Sequence, residues 1–237
     1  MRFIVSDDIA KSYPQLRIGI VVAKNIQNAG RNQELDSLKP LAEEKIRNNF
    51  ASQTLVNHPY IAAWRETYRS IGVKAKKYNP TCEALIRRIL DGERIPTINL
   101  AVDAYLLVET ETLLPCGGYD LEKVQGDITL RFSSGNEPFN PLGGGAPEET
   151  NPGEVVYSDS KSVLTRKWNF RDADSTKITS STRNVALFSE AAMTQIPTEA
   201  VSSFTEKLKL YLEKFCGGDI RIFIASVEQG SLSWEIA

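Results

Sequence analysis

Histidine and cysteine are nearly missing from this sequence. Its 237 residues hold one histidine, His58, and three cysteines, Cys82, Cys116 and Cys216. A single histidine excludes His-rich zinc sites and leaves any Ser-His-Asp triad dependent on that one residue. Three cysteines with no close pair make neither a disulfide framework nor a zinc site, and they fit a reducing cytoplasm. No metal and no cofactor is expected. No apolar run approaches the ~18 residues of a membrane span, so no membrane partner is expected. The first ten residues carry Asp7 and Asp8 and lack the cationic start and apolar middle of a signal peptide. There is no Gly-x-Ser-x-Gly nucleophile elbow. The glycine-rich run at 142–147 is not a phosphate loop, because no Gly-Lys-Ser/Thr follows it.

An excess of one charge is missing too. Lys and Arg number 28, Asp and Glu 30, for a net charge of −2. That argues against a protein that coats nucleic acid along its whole surface, and no DNA partner is expected. The local balance differs. Between Arg65 and Arg94 stand eight cations against four anions. The bland reading is ordinary helix-surface charge; the other is a phosphate-facing patch that includes Arg87 and Arg88.

Hydrophobic residues make up 41% of the chain, enough for an ordinary core. Residues 16–22 are short and β-branched, a strand. Helices are expected over 36–53, 57–72 and 79–92, each from a capping or N1-proline signal and a stripe at three- and four-residue steps. His58, before Pro59, reads as a capping or surface residue. The apolar run 98–108 predicts a buried helix, with Asn99 and Asp103 four apart on one face. From Gly126 the period changes to two. Strands are expected at 127–132, 155–157, 162–170 and 184–188. A long helix over 198–215 and a strand over 219–227 close the pattern. The outline is α+β, with helices first, then a mostly antiparallel β body, then a long C-terminal helix. No repeat or linker divides it, so one domain over 1–237 is expected.

One stretch concentrates chemistry. Residues 166–177 hold two aromatics, four cations and two carboxylates. Read as a strand, it places Trp168 and Phe170 on one face and Asn169 and Arg171 on the other. Trp168 is then either a core residue or a stacking wall for a base or aromatic group. Asp172 and Asp174 either bind an ammonium group or cap a turn. Arg171 and Lys177 either meet phosphate or pair with those aspartates. Cys116, in Leu-Pro-Cys-Gly-Gly, would need a base to serve as a nucleophile.

Several motifs in register resemble a known family. They are Trp64-Arg65-x-x-Tyr68-Arg69-x-x-Gly72, Asn79-Pro80-x-x-Glu83-Ala84-Leu85-x-Arg87-Arg88, and Ile95-Pro96-x-Ile98-Asn99-x-x-Val102-Asp103-x-Tyr105. Further along come Leu114-Pro115-x-Gly117-Gly118-Tyr119-Asp120-Leu121, Gly126-Asp127-Ile128-x-Leu130-Arg131, Gly153-Glu154-Val155-Val156-Tyr157 and Trp168-Asn169-Phe170-Arg171-Asp172-x-Asp174-x-Thr176-Lys177. Together they span residues 64–190 and resemble stand-alone B3/B4-domain proteins. The B3/B4 module is otherwise part of the phenylalanyl-tRNA synthetase β subunit, an α+β editing domain that hydrolyses tyrosine wrongly attached to the phenylalanine tRNA.

The resemblance implies a B3/B4-like fold and an aminoacyl-tRNA ester as substrate. Such an ester is already activated. A site need only hold the terminal adenosine and the amino acid, place a water, and offer donors to the oxyanion, so no histidine base is obligatory. The expected activity is editing-type deacylation in trans, with tRNA or aminoacyl-tRNA as partner. The rivals are a non-catalytic tRNA-binding module and an amino-acid-binding protein. The chain lacks aminoacylation machinery, so it is not itself a synthetase. On this reading Asn169, Asp172 and Thr176 do the chemistry. Asn99, Asp103, Trp168, Arg171, Asp174 and Lys177 hold substrate, and Arg87 and Arg88 meet RNA. The synthetase's pocket histidine falls at Gly117, and its glycine-rich pocket strand is replaced by Trp168-Asn169-Phe170. A bulkier wall implies another side-chain specificity, or loss of hydrolysis.

Overall fold

A short strand, β1 (Arg2–Val5), leads into α1 (Asp7–Ser12), whose N-cap is Ser6. The apolar strand β2 (Arg17–Lys24) follows, then α2 (Gln33–Asn49), capped by the Asn32 side chain. α3 (Pro59–Ser70) begins at His58, whose Nδ1 accepts from the Tyr60 N–H. α4 (Thr81–Leu90) and α5 (Leu100–Thr112) complete the first helical set. α5 is buried along most of its length, which is why its sequence is apolar nearly all round.

The strands that follow are β3 (Gly117–Asp120), β4 (Ile128–Phe132), β5 (Pro138–Phe139), β6 (Glu148–Glu149), β7 (Val155–Ser158), β8 (Val163–Arg166), β9 (Arg171–Asp172), β10 (Val185–Ala191) and β11 (Asp219–Ser226). α6 (Thr198–Phe215) separates β10 from β11, and β12 (Ser233–Glu235) closes the set. The computed structural model describes residues 1–230 and 232–237.

The strands form two main sheets. One runs β12-β1-β4-β7-β8-β9 and the other β11-β2-β10-β3. All pairings in them are antiparallel except β1 with β4. The sheets meet through rings. Phe3 and Tyr157 of the first sheet touch Phe188 of the second at 5.3 and 5.5 Å between centroids, and Tyr119 lies 6.2 Å from Tyr157. α6 presses on the far side of β2, where Gly19 has no side chain: a Cβ there would stand 2.4 Å from Thr205. The fold is thus α+β, antiparallel-dominated, with the long C-terminal helix that the pattern predicts.

One expectation changes. Residues 162–170 do not run on as a strand. β8 ends at Arg166, and Lys167 and Trp168 take φ of +50° and +69°. The chain reverses over 167–170 and returns as β9, pairing Thr165 with Asp172 and Arg166 with Arg171. The turn is anchored from β7's side: Glu154 receives the Arg166 guanidinium at 2.8 Å on both oxygens and the Lys167 N–H, and the Trp168 N–H donates to the Val155 carbonyl at 2.8 Å. A left-handed conformation is costly for a bulky residue, on the order of 1–2 kcal/mol, and persists only where the surroundings hold it.

Candidate functional site

The two sheets and this turn line a small chamber of about 40 Å³. β3 contributes Gly117 and Tyr119, β10 contributes Phe188 and Glu190, and the other sheet contributes Tyr157, Thr165 and Asp172. The turn adds Trp168, Asn169 and Phe170. Phe188 and Glu190 are two apart on β10, so one sheet face delivers both. Gly118 lets β3 lie against β10; a Cβ there would stand 2.3 Å from the Ala186 carbonyl. Beside the chamber lies an open groove of about 570 Å³, lined by α4 residues including Arg87 and Arg88, and by Glu109 of α5. Thr81, Cys116, Phe170, Arg171 and Asp172 border both spaces, so groove and chamber lie side by side.

Two hydrogen-bond chains run through the chamber walls. Thr165 Oγ1 donates to Asp172 Oδ1 at 2.6 Å, and Tyr119 lies 2.6 Å from the same Thr165 oxygen. A hydroxyl has one proton, so with Asp172 ionised the order is Tyr119 to Thr165 to Asp172. In the second chain, Tyr157 donates to Glu190 at 2.6 Å, the Asn169 amide donates to the same carboxyl at 3.3 Å, and Tyr68 donates to the Asn169 carbonyl oxygen at 2.8 Å. Among the described residues, neither acid has a cation at ion-pair distance.

Their protonation follows. Burial pushes Asp172 up to about 6, against the Thr165 hydrogen bond and the nearby Arg171 charge. Burial likewise pushes Glu190 up to about 7, with Tyr157 and Asn169 opposing, and Glu109 up to about 8. Desolvation outweighs the neutral donors because a hydrogen bond to a hydroxyl or amide recovers only part of a carboxylate's lost hydration. Burial also raises the Cys116 thiol well above its ordinary range, so it is not a thiolate nucleophile. Among the described residues, no group of three or more His, Cys, Asp and Glu side chains is placed to hold a metal ion, and no helix is long and apolar enough to cross a membrane.

Residues 63–210 match the family model of the B3/4 domain. The chain belongs to the B3/4 domain family. Among solved structures, it is similar to an N-terminal fragment of the phenylalanyl-tRNA synthetase beta subunit from Pyrococcus horikoshii, with 15% identity and a TM-score of 0.46. That alignment covers 92% of this chain and 50% of the other, so this chain spans about half the length of the archaeal fragment. Among curated proteins no sequence matches.

Within this B3/4 chain the residues singled out by sequence fall into two sets. Asn169, Trp168, Arg171 and Asp172 converge on the chamber, and Arg87 and Arg88 line the groove. Trp168 is fully buried, edge-on to Tyr13 and Trp64 at 4.8 and 5.6 Å. It is therefore a chamber wall and a core residue at once, not an exposed stacking platform. Arg87 and Arg88 are already engaged, by Glu83 and by the Arg94 carbonyl with Glu93. Arg171, by contrast, is exposed at the mouth with no hydrogen-bond or ion-pair partner for its guanidinium among the described residues.

The others lie outside both spaces. Asn99 caps α5 through the Val102 N–H and donates to the Ile178 carbonyl. Asp103 accepts from buried Lys39 at 2.8 Å and from the Ile98 N–H. Asp174 and Lys177 pair with each other at 2.9 Å on the surface. Thr176 is buried in the short turn between them. Asn99 and Asp103 hold the backbone around α5, and none of the five lines the chamber. Glu190 and Glu109 went unremarked in the sequence. The available signal was an acid inside an otherwise apolar strand or helix, which needs a specific reason to be there.

Proposed function

We propose that this B3/4 protein hydrolyses an aminoacyl-tRNA ester in trans: the groove receives the terminal nucleotide and the chamber receives the aminoacyl group. The observation that carries this reading is an open, arginine-bearing groove that shares half-buried Asp172 with a chamber holding buried Glu190, neither carboxyl having a cation at ion-pair distance among the described residues. Such a pair suits the α-ammonium of an aminoacyl ester. Glu190, deep in the chamber, is the ammonium acceptor, and a bound cation would draw its proton off.

Asp172 stands at the junction and serves as general base. An acid pushed up to about 6 is ionised at neutral pH yet still basic enough to take a proton. Its Oδ1 is held by Thr165, and its Oδ2 accepts no hydrogen bond among the described residues, which leaves that oxygen for a water. The water loses a proton to Oδ2 as it attacks the ester carbonyl. The oxyanion that forms faces the unpaired Arg171 guanidinium. The intermediate then collapses, the C–O bond to the ribose breaks, and Asp172 returns the proton to the leaving hydroxyl. The products are a free amino acid and an uncharged tRNA.

The test is to incubate purified protein with a pool of aminoacylated tRNA and follow ester loss by amino acid, beside an Asp172→Ala control. Faster loss of at least one ester than in the control supports the reading. Equal rates for every ester contradict it, and tRNA retention without ester loss would instead indicate a binding module.

A further inference from the structure

We infer that the chamber sets a size limit: it admits glycyl, alanyl and seryl groups and excludes aromatic ones. This rests on the hydrolase reading above and goes further, because it names the class of ester.

The argument is one of volume and stiffness. The chamber measures about 40 Å³. That is a small fraction of the ~300–1,000 Å³ of an ordinary ligand pocket, so it takes only a few heavy atoms. The nitrogen, Cα and Cβ of an alanyl group fill that space. A seryl hydroxyl adds one atom in a chamber lined by Thr165, Asn169 and Glu190, whereas a phenyl ring adds six and needs the ring walls to move. The groove outside, at about 570 Å³, lies within the range of ordinary ligand sites and is the place for the ribose and base.

The walls do not give way cheaply. Trp168 is wedged between Tyr13 and Trp64, and Phe188 and Tyr157 are locked in the ring cluster that joins the two sheets. Moving any of them means repacking a dense core. Trp168 is fully buried, so it has no free space to swing into. Gly117 keeps the space open at Asp172, since a Cβ there would stand 3.5 Å from Asp172 Oδ2.

The experiment measures kcat/KM of the wild-type protein on tRNAs charged with glycine, alanine, serine, phenylalanine or tyrosine. The small esters are expected to react at least ~100-fold faster than the aromatic pair, since the penalty exceeds that of a single misplaced methylene. Gly117→Ala adds a methyl at van der Waals distance from Asp172 without a left-handed backbone to strain, so it should fold. It is expected to slow alanyl and seryl esters by ~10-fold or more relative to glycyl. Aromatic esters reacting as fast as small ones would overturn the size limit and leave the hydrolase reading standing, with the side chain lying in the groove. No hydrolysis of any ester would overturn the hydrolase reading itself. In that case thermal shift decides the limit: stabilisation by alanine amide but not phenylalanine amide supports it, and the reverse overturns it.

Discussion

Asp103 and Asp172 are both aspartates drawn away from bulk water, and what faces them differs. Asp103 meets the Lys39 ammonium at 2.8 Å and a backbone N–H at 2.8 Å. Lys39 in turn also reaches the Pro96 carbonyl and Thr97. That corner is closed: each charge has its counter-charge and its hydrogen bonds, and the pair ties α2 to α5. Asp172 has one hydroxyl donor and a glycine opposite, and it stands half-buried on the border of the open groove. Its burial is left uncompensated, which is why its proton is held up to about 6. A buried acid with its cation is part of the frame. A desolvated acid without one, half-buried at a groove, is free for a partner that comes and goes.

Substitution should separate the two most widely in stability. Asp103→Ala takes the near counter-charge from the buried Lys39 ammonium, leaving it Asp36 at 3.9 Å, and is expected to lower unfolding free energy by about 3 kcal/mol. Asp172→Asn, which keeps an acceptor for Thr165, should change it by less than about 1 kcal/mol. Urea denaturation of both proteins reads this directly. Equal losses would break the distinction between frame and site.

A smaller effect is expected from pH. Glu190 is raised from 4.5 to about 7 in the fold. The native state therefore holds a proton that the unfolded chain releases first. The stability tied to it is full below about pH 4.5 and is lost as pH rises through about 7. Glu109 extends the same trend towards 8. The melting temperature should fall by several degrees from pH 5 to pH 8, and Glu190→Gln should flatten part of that fall, by roughly 1–3 kcal/mol at pH 8. A melting temperature that rises over this window would mean the chamber acids are compensated after all.

The smallest effect contrasts two cations. Arg171 has no internal partner, whereas Lys177 is tied to Asp174. Arg171→Ala should reduce the salt slope of tRNA binding by about 1, while Lys177→Ala should change it less. Stability should move by no more than about 0.5 kcal/mol in either.

Much of the frame was legible in the chain itself. The 198–215 helix is visible in its buried stripe of Val201, Phe204, Leu208 and Phe215 and in the Gly217-Gly218 stop. The helices at 59–70 and 81–90 show in their prolines and apolar spacing. β1 and β12 were too short to leave a pattern, and they pair only through each other and β4. The turn at 167–170 was hidden for a deeper reason. Aromatic–polar alternation from Trp168 to Arg171 is strand-like locally. What bends it is distant: Glu154, the Val155 carbonyl and the Tyr68–Asn169–Glu190 chain. No short window contains those partners. The same reasoning explains the site residues. Asp172 and Asn169 stood out because they lie in a dense polar run, whereas Glu190 acquires its meaning only when β10 is laid against the opposite sheet.

The most direct test of the account is the pH dependence of ester hydrolysis by the wild-type protein and by Asp172→Asn. The wild-type rate should rise with pH through a midpoint near 6, where Asp172 loses its proton. The variant, still folded, should lose ~10²–10⁴-fold in rate together with that midpoint. A variant that hydrolyses as fast as the wild type, with the same pH profile, would contradict the claim that the chamber's unpaired acid does the chemistry.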